Sequence, residues 1–153
     1  MADTLYTAVA TATGDGRAGG RAVSDDGQLD VTLAVPRAMG GPGGGTNPEQ
    51  LFAAGWSSCF HSALKMVAAQ RKVPVTDSAV VAEGGRGPAG AGGGGRGPPA
   101  DGGASRGATL HVELGGGVTQ ELAEELAEAA HAVCPYSLAT RGNIPVTVRT
   151  TVA

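Results

Sequence analysis

The chain contains two cysteines, Cys59 and Cys134, and each stands in a stretch of helical character. Cys59 lies in the apolar run "TNPEQLFAAGWSSCFH" at 46–61, and Cys134 ends "VTQELAEELAEAAHAVC" at 118–134. A cysteine without further context is most often a small buried hydrophobe. Two cysteines in a reducing compartment also fit a catalytic or redox-active pair, a metal site or a structural disulfide. The neighbouring residues decide among these.

A zinc site is the first alternative, because Cys59, His61, His131 and Cys134 form a nominal Cys2His2 set. His131 and Cys134 are three residues apart and can share a helix face, whereas Cys59 and His61 point roughly 200° apart on a helix. Neither spacing is CxxC, and we expect no metal. A serine nucleophile is disfavoured too, because "GWSSC" lacks the closing glycine and the preceding strand of a G-x-S-x-G elbow.

A thiol redox pair accounts for these residues better. A thiol that attacks a peroxide needs a low pKa, and therefore a cation or a helix dipole nearby. A second thiol then traps the sulfenic acid as a disulfide. The candidate cations are Arg17 and Arg21 in an N-terminal turn and Arg141 in "YSLATRGN". Glu49 could hold one of them through a bidentate ion pair.

Length and composition restrict the class of protein. The 153 residues predict a single domain, 1–153, with a sizeable core. Two Phe, two Tyr, one Trp and a net charge of -3 give no reason to bind nucleic acid or an anionic membrane. The opening "MADTLYTAVATATG" shows no signal peptide, and no apolar run is long enough to span a bilayer. We therefore expect a cytoplasmic protein.

Strand patterns recur along the chain. They cover 4–13, 21–24, 29–36, 73–82, 108–114 and "IPVTVRTTV" at 144–152. The residues "DDG" at 25–27 predict a hairpin between the second and third of these strands. Residues 84–107 are half glycine with three prolines, and this composition predicts a flexible Gly/Pro-rich loop.

Two stretches are predicted to be helical. The first is Thr46–Lys72, which opens with the cap candidates "TN" and places Pro48 in its first turn. The second is the amphipathic stretch 118–134, which Thr119 can cap and Pro135 stops. Because no repeated βαβ units occur, this order of elements predicts an α+β fold.

Three stretches resemble one known family. "GTNPEQLFAAGWSSCFHSAL" (45–64) and "AHAVCPYSLATRGNIPVTV" (130–148) closely resemble the organic hydroperoxide resistance proteins of the OsmC superfamily. "TATGDGRAGGRAVSDDGQLDV" (11–31) resembles that family's opening hairpin, so the matches follow the family's order. The resemblance implies an OsmC-like fold, in which antiparallel sheets wrap central helices in an intertwined homodimer.

The resemblance also implies roles for individual residues. Cys59 falls on the family's peroxidatic cysteine and Cys134 on its resolving cysteine, which form a disulfide during turnover. The glutamate of "TNPEQ" is Glu49. The family's arginine falls on Arg17, and Arg21 is a competitor because "GRAGGRAVS" has one extra residue. In this family's chemistry, the arginine stabilises the thiolate and polarises the O–O bond, and the glutamate fixes the arginine.

The implied activity is a dithiol-dependent peroxidase that reduces organic hydroperoxides (alkyl, aryl and fatty-acid) to alcohols. We expect an apolar substrate lining, which favours such substrates over hydrogen peroxide. The predicted lining residues are Leu51, Phe52, Trp56 and Phe60. The resemblance further implies that dihydrolipoamide, or lipoylated subunits of 2-oxo acid dehydrogenase complexes, supply the reducing dithiol. It implies no bound cofactor.

Alternative functions stay open at this point. An osmotically induced OsmC-type peroxidase would share the fold, although the wording of "NPEQLFAAG" argues against it. A noncatalytic thiol redox sensor or binding module would keep the fold without turnover. A structural Cys59–Cys134 disulfide would hold both thiols oxidised.

One geometric question also stays open. On a straight helix, Glu49 and Cys59 lie about 15 Å apart along the axis and cannot meet. Either the chain bends at Gly55, or one active site draws residues from two subunits.

Overall fold

The computed structural model describes residues 3–87 and 105–153 and divides into two compact units. The first unit ends at Leu51 and the second begins at Phe52. The described residues form six strands, β1 to β6, and three α-helices, α1 to α3. None of these helices is both long enough and apolar enough to cross a bilayer.

The first unit contains a three-stranded antiparallel sheet. Its strands are β1 (Ala10–Thr13), β2 (Arg21–Ser24) and β3 (Asp30–Thr32), in the order β1-β2-β3. The predicted hairpin between β2 and β3 is confirmed. The first strand is shorter than predicted, because residues 4–9 belong to no strand in the described part of the chain. Alternation of residue types is not sufficient for a strand, which also needs a pairing partner.

Helix α1 (Pro48–Gln70) begins in the first unit and continues through the second. The side chain of Asn47 caps it, accepting a hydrogen bond of 2.9 Å from the backbone N–H of Gln50. The helix is unbroken at Gly55, so the bend considered from the sequence is absent. Its buried residues recur three or four positions apart, as an amphipathic helix requires: Trp56, Phe60, Ala63, Leu64, Val67 and Ala68.

The second unit contains a mixed sheet of β4 (Ser78–Gly87), β5 (Ser105–Leu114) and β6 (Val146–Val152). Strands β4 and β5 are antiparallel, but β5 and β6 are parallel. The parallel pair needs a crossover, which α2 (Gln120–Val133) and α3 (Pro135–Thr140) supply. The α+β class is confirmed, whereas the expectation of purely antiparallel sheets is wrong for this strand pair.

The predicted loop at 84–107 is corrected at both ends. Residues 84–87 extend β4 and residues 105–107 belong to β5, so that Gly85 pairs with Gly107. An antiparallel ladder satisfies backbone hydrogen bonds whatever the side chains are, which is why a glycine-rich composition did not prevent pairing here. The remainder of the predicted loop, 88–104, lies outside the described residues.

Helices α2 and α3 meet at Cys134. Thr119 caps α2 as predicted, because its Oγ1 accepts a hydrogen bond from the backbone N–H of Leu122 at 3.3 Å. Pro135 ends α2 but also opens α3, a helix that the sequence did not predict. Proline suits the first position of a helix, where its missing N–H leaves no donor unpaired. Cys134 therefore stands between two helices rather than at the end of one.

The core of the second unit lies between the sheet and the helices. The inner face of β5 contributes Leu110, Val112 and Leu114, all essentially inaccessible to solvent. The buried faces of α1 and α2 belong to the same apolar cluster, which also contains Cys134 and, at its partly buried margin, Cys59. The two thiols are thus part of the apolar core of this unit.

Candidate active site

An ion pair between Arg17 and Glu49 lies in the first unit. Arg17 Nη2 donates to Glu49 Oε1 at 2.7 Å, and the two side chains are 29% and 23% exposed. Arg17 is held in a short 3-10 turn, Gly16–Ala18, that connects β1 to β2. Gly16 has φ of 57°, a conformation that glycine adopts without strain, so the turn can present the arginine. Glu49 is the acidic residue in the first turn of α1.

The second guanidinium nitrogen of this arginine has hydrogen-bonding capacity to spare. Arg17 Nη1 is buried and has no hydrogen-bond partner among the described residues. A buried donor without a partner is uncommon, since it costs the desolvation of a polar group. The nitrogen is therefore a donor available to a bound ligand.

The competing arginine is committed elsewhere. Both ends of the Arg21 guanidinium bind the carboxylate of Asp30 on the neighbouring strand, with Nε to Oδ1 at 2.6 Å. This pair is exposed, and the hydrogen bond and charge of Asp30 raise the pKa of Arg21. The third candidate cation, Arg141, donates to the carbonyl oxygen of His131 at 3.0 Å, in the second unit. Of the three arginines, the structure brings only Arg17 together with Glu49.

The two cysteines lie side by side in the second unit. Both are free thiols, with Cys134 fully buried and Cys59 half-buried. The Cys134 side chain hydrogen-bonds with that of Cys59, and the backbone N–H of Tyr136 donates to the Cys59 sulfur. Residues separated by most of the second unit in sequence therefore meet at one point, where α1 passes the junction of α2 and α3.

The environment of Cys59 raises the pKa of its thiol. Burial is the largest cause, because it disfavours the charged thiolate, and the Cys134 thiol raises the pKa further. The Tyr136 N–H acts in the opposite direction, since it stabilises the thiolate. No cation of the described residues is among the groups that shift this pKa. The low thiol pKa expected from the sequence is therefore not produced by the surroundings of Cys59 within this chain.

Aromatic rings surround the thiol pair on one side. Phe52, Trp56 and Tyr136 have ring centroids 5.4 to 6.5 Å apart. Gly55 makes room for this cluster, because a Cβ at that position would lie 2.4 Å from the Tyr136 hydroxyl oxygen. The sequence suggested Gly55 only as a weak point of the helix, and the role of Tyr136 was missed. A glycine one turn before a cysteine in a helix was the available signal.

The four predicted lining residues differ in burial. Trp56 and Phe60 are fully buried core side chains. Phe52 is partly buried against the core, and Leu51 is partly exposed on α1. Contact of any of the four with a substrate stays a prediction, and Phe52 is the one of the second unit that solvent reaches.

The two histidines of the nominal zinc set bind serines. His61 Nε2 lies 2.9 Å from Ser78 Oγ, and His131 Nδ1 lies 2.9 Å from Ser137 Oγ. In the described ranges, three or more His, Cys, Asp or Glu side chains do not gather in a way that could hold a metal ion.

Comparison with known proteins gives a consistent assignment. Residues 41–149 match the family model described as OsmC-like protein. The chain is 49% identical to the organic hydroperoxide resistance protein of Xanthomonas axonopodis pv. citri over 148 residues, which cover 94% of this chain and 93% of that protein. It is 43% identical to the organic hydroperoxide resistance protein OhrB of Bacillus subtilis, covering 93% of this chain and 95% of OhrB.

Solved structures agree with the sequence relatives. The crystal structure of an organic hydroperoxide resistance protein from Elizabethkingia anophelis superposes with a TM-score of 0.85 at 41% identity, covering 99% of this chain and all of that one (100%). The crystal structure of OhrB of Bacillus subtilis gives a TM-score of 0.79 at 41% identity, covering 97% and 100% of the two chains. The family resemblance inferred from the cysteine-bearing motifs is thus confirmed. The chain belongs to the OsmC family, among its organic hydroperoxide resistance proteins.

Proposed function

We propose that this protein is a thiol-dependent peroxidase that reduces organic hydroperoxides to alcohols. The observation that carries the proposal is the contact between two free thiols, Cys59 and Cys134, within an apolar cluster. A half-buried thiol can receive an oxidant, and a fully buried one beside it can close a disulfide. The names of the relatives, which refer to organic hydroperoxide resistance, support the same class of oxidant.

In the first step, the Cys59 thiolate attacks one oxygen of the hydroperoxide. An S–O bond forms as the O–O bond breaks, the leaving alkoxide takes a proton and departs as the alcohol, and Cys59 becomes a sulfenic acid. Negative charge develops on the leaving oxygen, so a positioned cation stabilises the transition state. The guanidinium of Arg17, fixed by Glu49 and carrying a donor available to a ligand, suits this role.

In the second step, the Cys134 thiolate attacks the Cys59 sulfenic acid. The S–S bond forms, the S–O bond breaks and water leaves, which gives the Cys59–Cys134 disulfide. An external dithiol restores both thiols by exchange and is itself oxidised to a cyclic disulfide. We propose dihydrolipoamide, free or carried on lipoylated dehydrogenase-complex subunits, as this dithiol, with no cofactor bound to the protein. This choice of reductant derives from the family resemblance.

The site requires a second subunit in this proposal. Because α1 is unbroken, Glu49 and Cys59 lie about 15 Å apart along one helix axis. The thiol also lacks a cation of its own surroundings. In a homodimer, the Arg17–Glu49 ion pair of one subunit can serve the thiol pair of the other. Exposed apolar side chains favour such an assembly, since Leu5 is 99% and Tyr6 78% exposed near the N-terminus.

The dimer has a direct test in solution. We expect the purified protein to have twice the chain mass of 14.9 kDa at micromolar concentration, as measured by light scattering coupled to size exclusion. Replacing Leu5 and Tyr6 together by Asp is expected to shift the mass toward the monomer, because burial of these side chains would then place charges in the interface. The matched control replaces the exposed Leu29 by Asp. A monomeric wild type would contradict the two-subunit site.

The peroxidase proposal is tested by substrate comparison. With dihydrolipoamide as reductant, we expect cumene hydroperoxide to be consumed at least about tenfold faster than hydrogen peroxide, because an apolar lining favours the larger apolar oxidant. Glutathione replaces dihydrolipoamide in the control, and slower turnover is expected there. Equal rates with the two peroxides would contradict the substrate class. No consumption with any dithiol, while both thiols stay reduced, would indicate a thiol sensor or binding module instead.

A further inference from the structure

Three side chains that the proposed reaction does not use form a continuous hydrogen-bond network beside the thiols. Trp56 Nε1 donates to Ser137 Oγ at 3.3 Å, and Ser137 Oγ lies 2.9 Å from His131 Nδ1. Trp56 and Ser137 are fully buried, and His131 is half-buried. We call these three residues the Trp–Ser–His network. It connects three helices, because its members belong to α1, α3 and α2 respectively.

The positions of these residues relative to the cysteines are regular. Trp56 precedes Cys59 by three residues on α1, which is about one helical turn. His131 precedes Cys134 by three residues and Ser137 follows it by three. The His131–Ser137 contact therefore closes the chain around Cys134, and the Trp56–Ser137 bond attaches this closed turn to α1. The contact between the thiols runs between the same two segments.

The donors and acceptors of the network agree with one protonation state. The indole N–H can only donate, so the Ser137 oxygen accepts from Trp56. The Ser137 hydroxyl can then donate to His131 Nδ1, which accepts only when the imidazole is neutral. Burial, and then the charge of Arg141, lower the pKa of His131, which favours that neutral form. Every polar atom of the contact is thereby satisfied.

We propose that the Trp–Ser–His network positions Cys134 against Cys59 and so sets the rate at which the disulfide closes. The proposal rests on the proposed peroxidase function, since closure is its second step. None of the three residues touches the peroxide in this scheme, and each acts through the cysteine that it holds. They are positioning residues. Disulfide formation requires close approach and defined geometry of two sulfurs, so a small displacement of Cys134 slows closure without affecting oxidation of Cys59.

The variants separate positioning from packing. Ser137→Ala removes both hydrogen bonds with little change in volume. His131→Leu removes the acceptor, whereas His131→Asn keeps an acceptor oxygen near the position of Nδ1 and is expected to restore closure. Ser62→Ala is the matched control, because Ser62 is exposed on α1 and hydrogen-bonds only the carbonyl of Ser58 in its own helix. If Ser137→Ala fails to fold, the comparison of the two His131 variants decides.

The first measurement uses one equivalent of cumene hydroperoxide and follows the two steps separately. Sulfenic acid formation, trapped with dimedone, is expected to stay within about twofold of wild type in every variant. Disulfide closure is expected to slow by about tenfold or more in Ser137→Ala and His131→Leu, and to recover in His131→Asn. Closure at the wild-type rate in Ser137→Ala and His131→Leu would overturn the proposal, and so would equal slowing in both His131 variants.

The second measurement does not depend on peroxide. In buffers of reduced and oxidised glutathione, the Cys59 thiolate attacks the glutathione disulfide and releases one glutathione. Cys134 then displaces the second, which yields the intramolecular disulfide. The effective concentration of the two thiols is expected to fall by about tenfold in Ser137→Ala. An unchanged value would contradict the positioning role. Failure of the wild type to consume hydroperoxide would contradict the proposed function alone, because this equilibrium still tests the network.

Discussion

Cys59→Ser is expected to abolish peroxide turnover, with a loss of at least about a thousandfold in kcat/KM for cumene hydroperoxide. A serine hydroxyl hardly ionises near neutral pH and is a poor nucleophile toward oxygen, whereas a thiolate is a strong one. The substitution is small, and Cys59 lies only at the partly buried margin of the core, so the fold is expected to persist. The loss therefore reports the chemistry of the thiol.

Cys134→Ser is the matched variant and has a different expected outcome. Cys59 still attacks one equivalent of hydroperoxide, because the first step does not need the second thiol. The sulfenic acid then cannot close a disulfide, so it accumulates and proceeds to sulfinic acid when more oxidant is added. Turnover with dihydrolipoamide is expected to be strongly reduced, while a single burst of alcohol remains.

Mass spectrometry after one and ten equivalents of cumene hydroperoxide distinguishes the two variants. The wild type is expected to lose two hydrogens as the disulfide forms. Cys134→Ser is expected to gain first one oxygen and then a second, and Cys59→Ser is expected to gain none. An oxygen added to Cys134 in the Cys59→Ser variant would contradict the assignment of Cys59 as the attacking thiol. Turnover by that variant would contradict the whole scheme.

Local chemistry made the helices predictable. Asn47 caps α1 and Thr119 caps α2 by side-chain hydrogen bonds to residues three positions later, and such bonds follow directly from sequence spacing. The apolar periodicity of both helices was likewise visible in the chain. The bounds differ from prediction by about two residues, because helix ends depend on which backbone groups find partners.

Long-range pairing could not be read from the sequence. The parallel β5–β6 pair and the pairing of Gly85 with Gly107 depend on which strands meet, and the residues themselves carry no signal of it. The new helix α3 depends on the same context, since Pro135 both stops one helix and starts another. Local rules suggested only the first of these two effects.

The candidate site shows the same division. The cysteines, Arg17 and Glu49 were selected by their types and by the family motifs, and the structure then favoured Arg17 over Arg21 through its partner. The contact of Tyr136 with the Cys59 sulfur could not be inferred, because it joins residues far apart in sequence. The Trp56–Ser137 bond joins residues 81 positions apart and was equally invisible. Motifs identify the reacting groups, and tertiary contacts decide how they are held.

Arg17→Gln is expected to lower kcat/KM for cumene hydroperoxide by about 10²–10³-fold, the usual effect of removing a donor that stabilises developing charge. Arg21→Gln is the control, because that side chain forms an exposed pair with Asp30. It is expected to stay within about threefold of wild type, since exposed ion pairs contribute little. Equal losses in the two variants would contradict the choice of Arg17.

The same variant is expected to change the ionisation of Cys59. Burial and the Cys134 thiol raise the pKa of Cys59, so a cation is needed to bring the thiolate into the neutral range. In the proposed dimer Arg17 of the second subunit supplies it, and removing that charge raises the pKa. The pH midpoint for alkylation of Cys59 by iodoacetamide should therefore move upward in Arg17→Gln and stay unchanged in Arg21→Gln.

Mixed dimers test whether these effects cross the subunit interface. A dimer of one Cys59→Ser chain and one Arg17→Gln chain has one site in which an intact arginine faces an intact thiol, if each site draws on both chains. Co-expression of the two inactive variants is then expected to restore about a quarter of wild-type activity, because half of randomly assembled dimers are mixed and each has one working site. If Arg17 served the thiol of its own chain, every site would lack one of the two groups, and activity would not return.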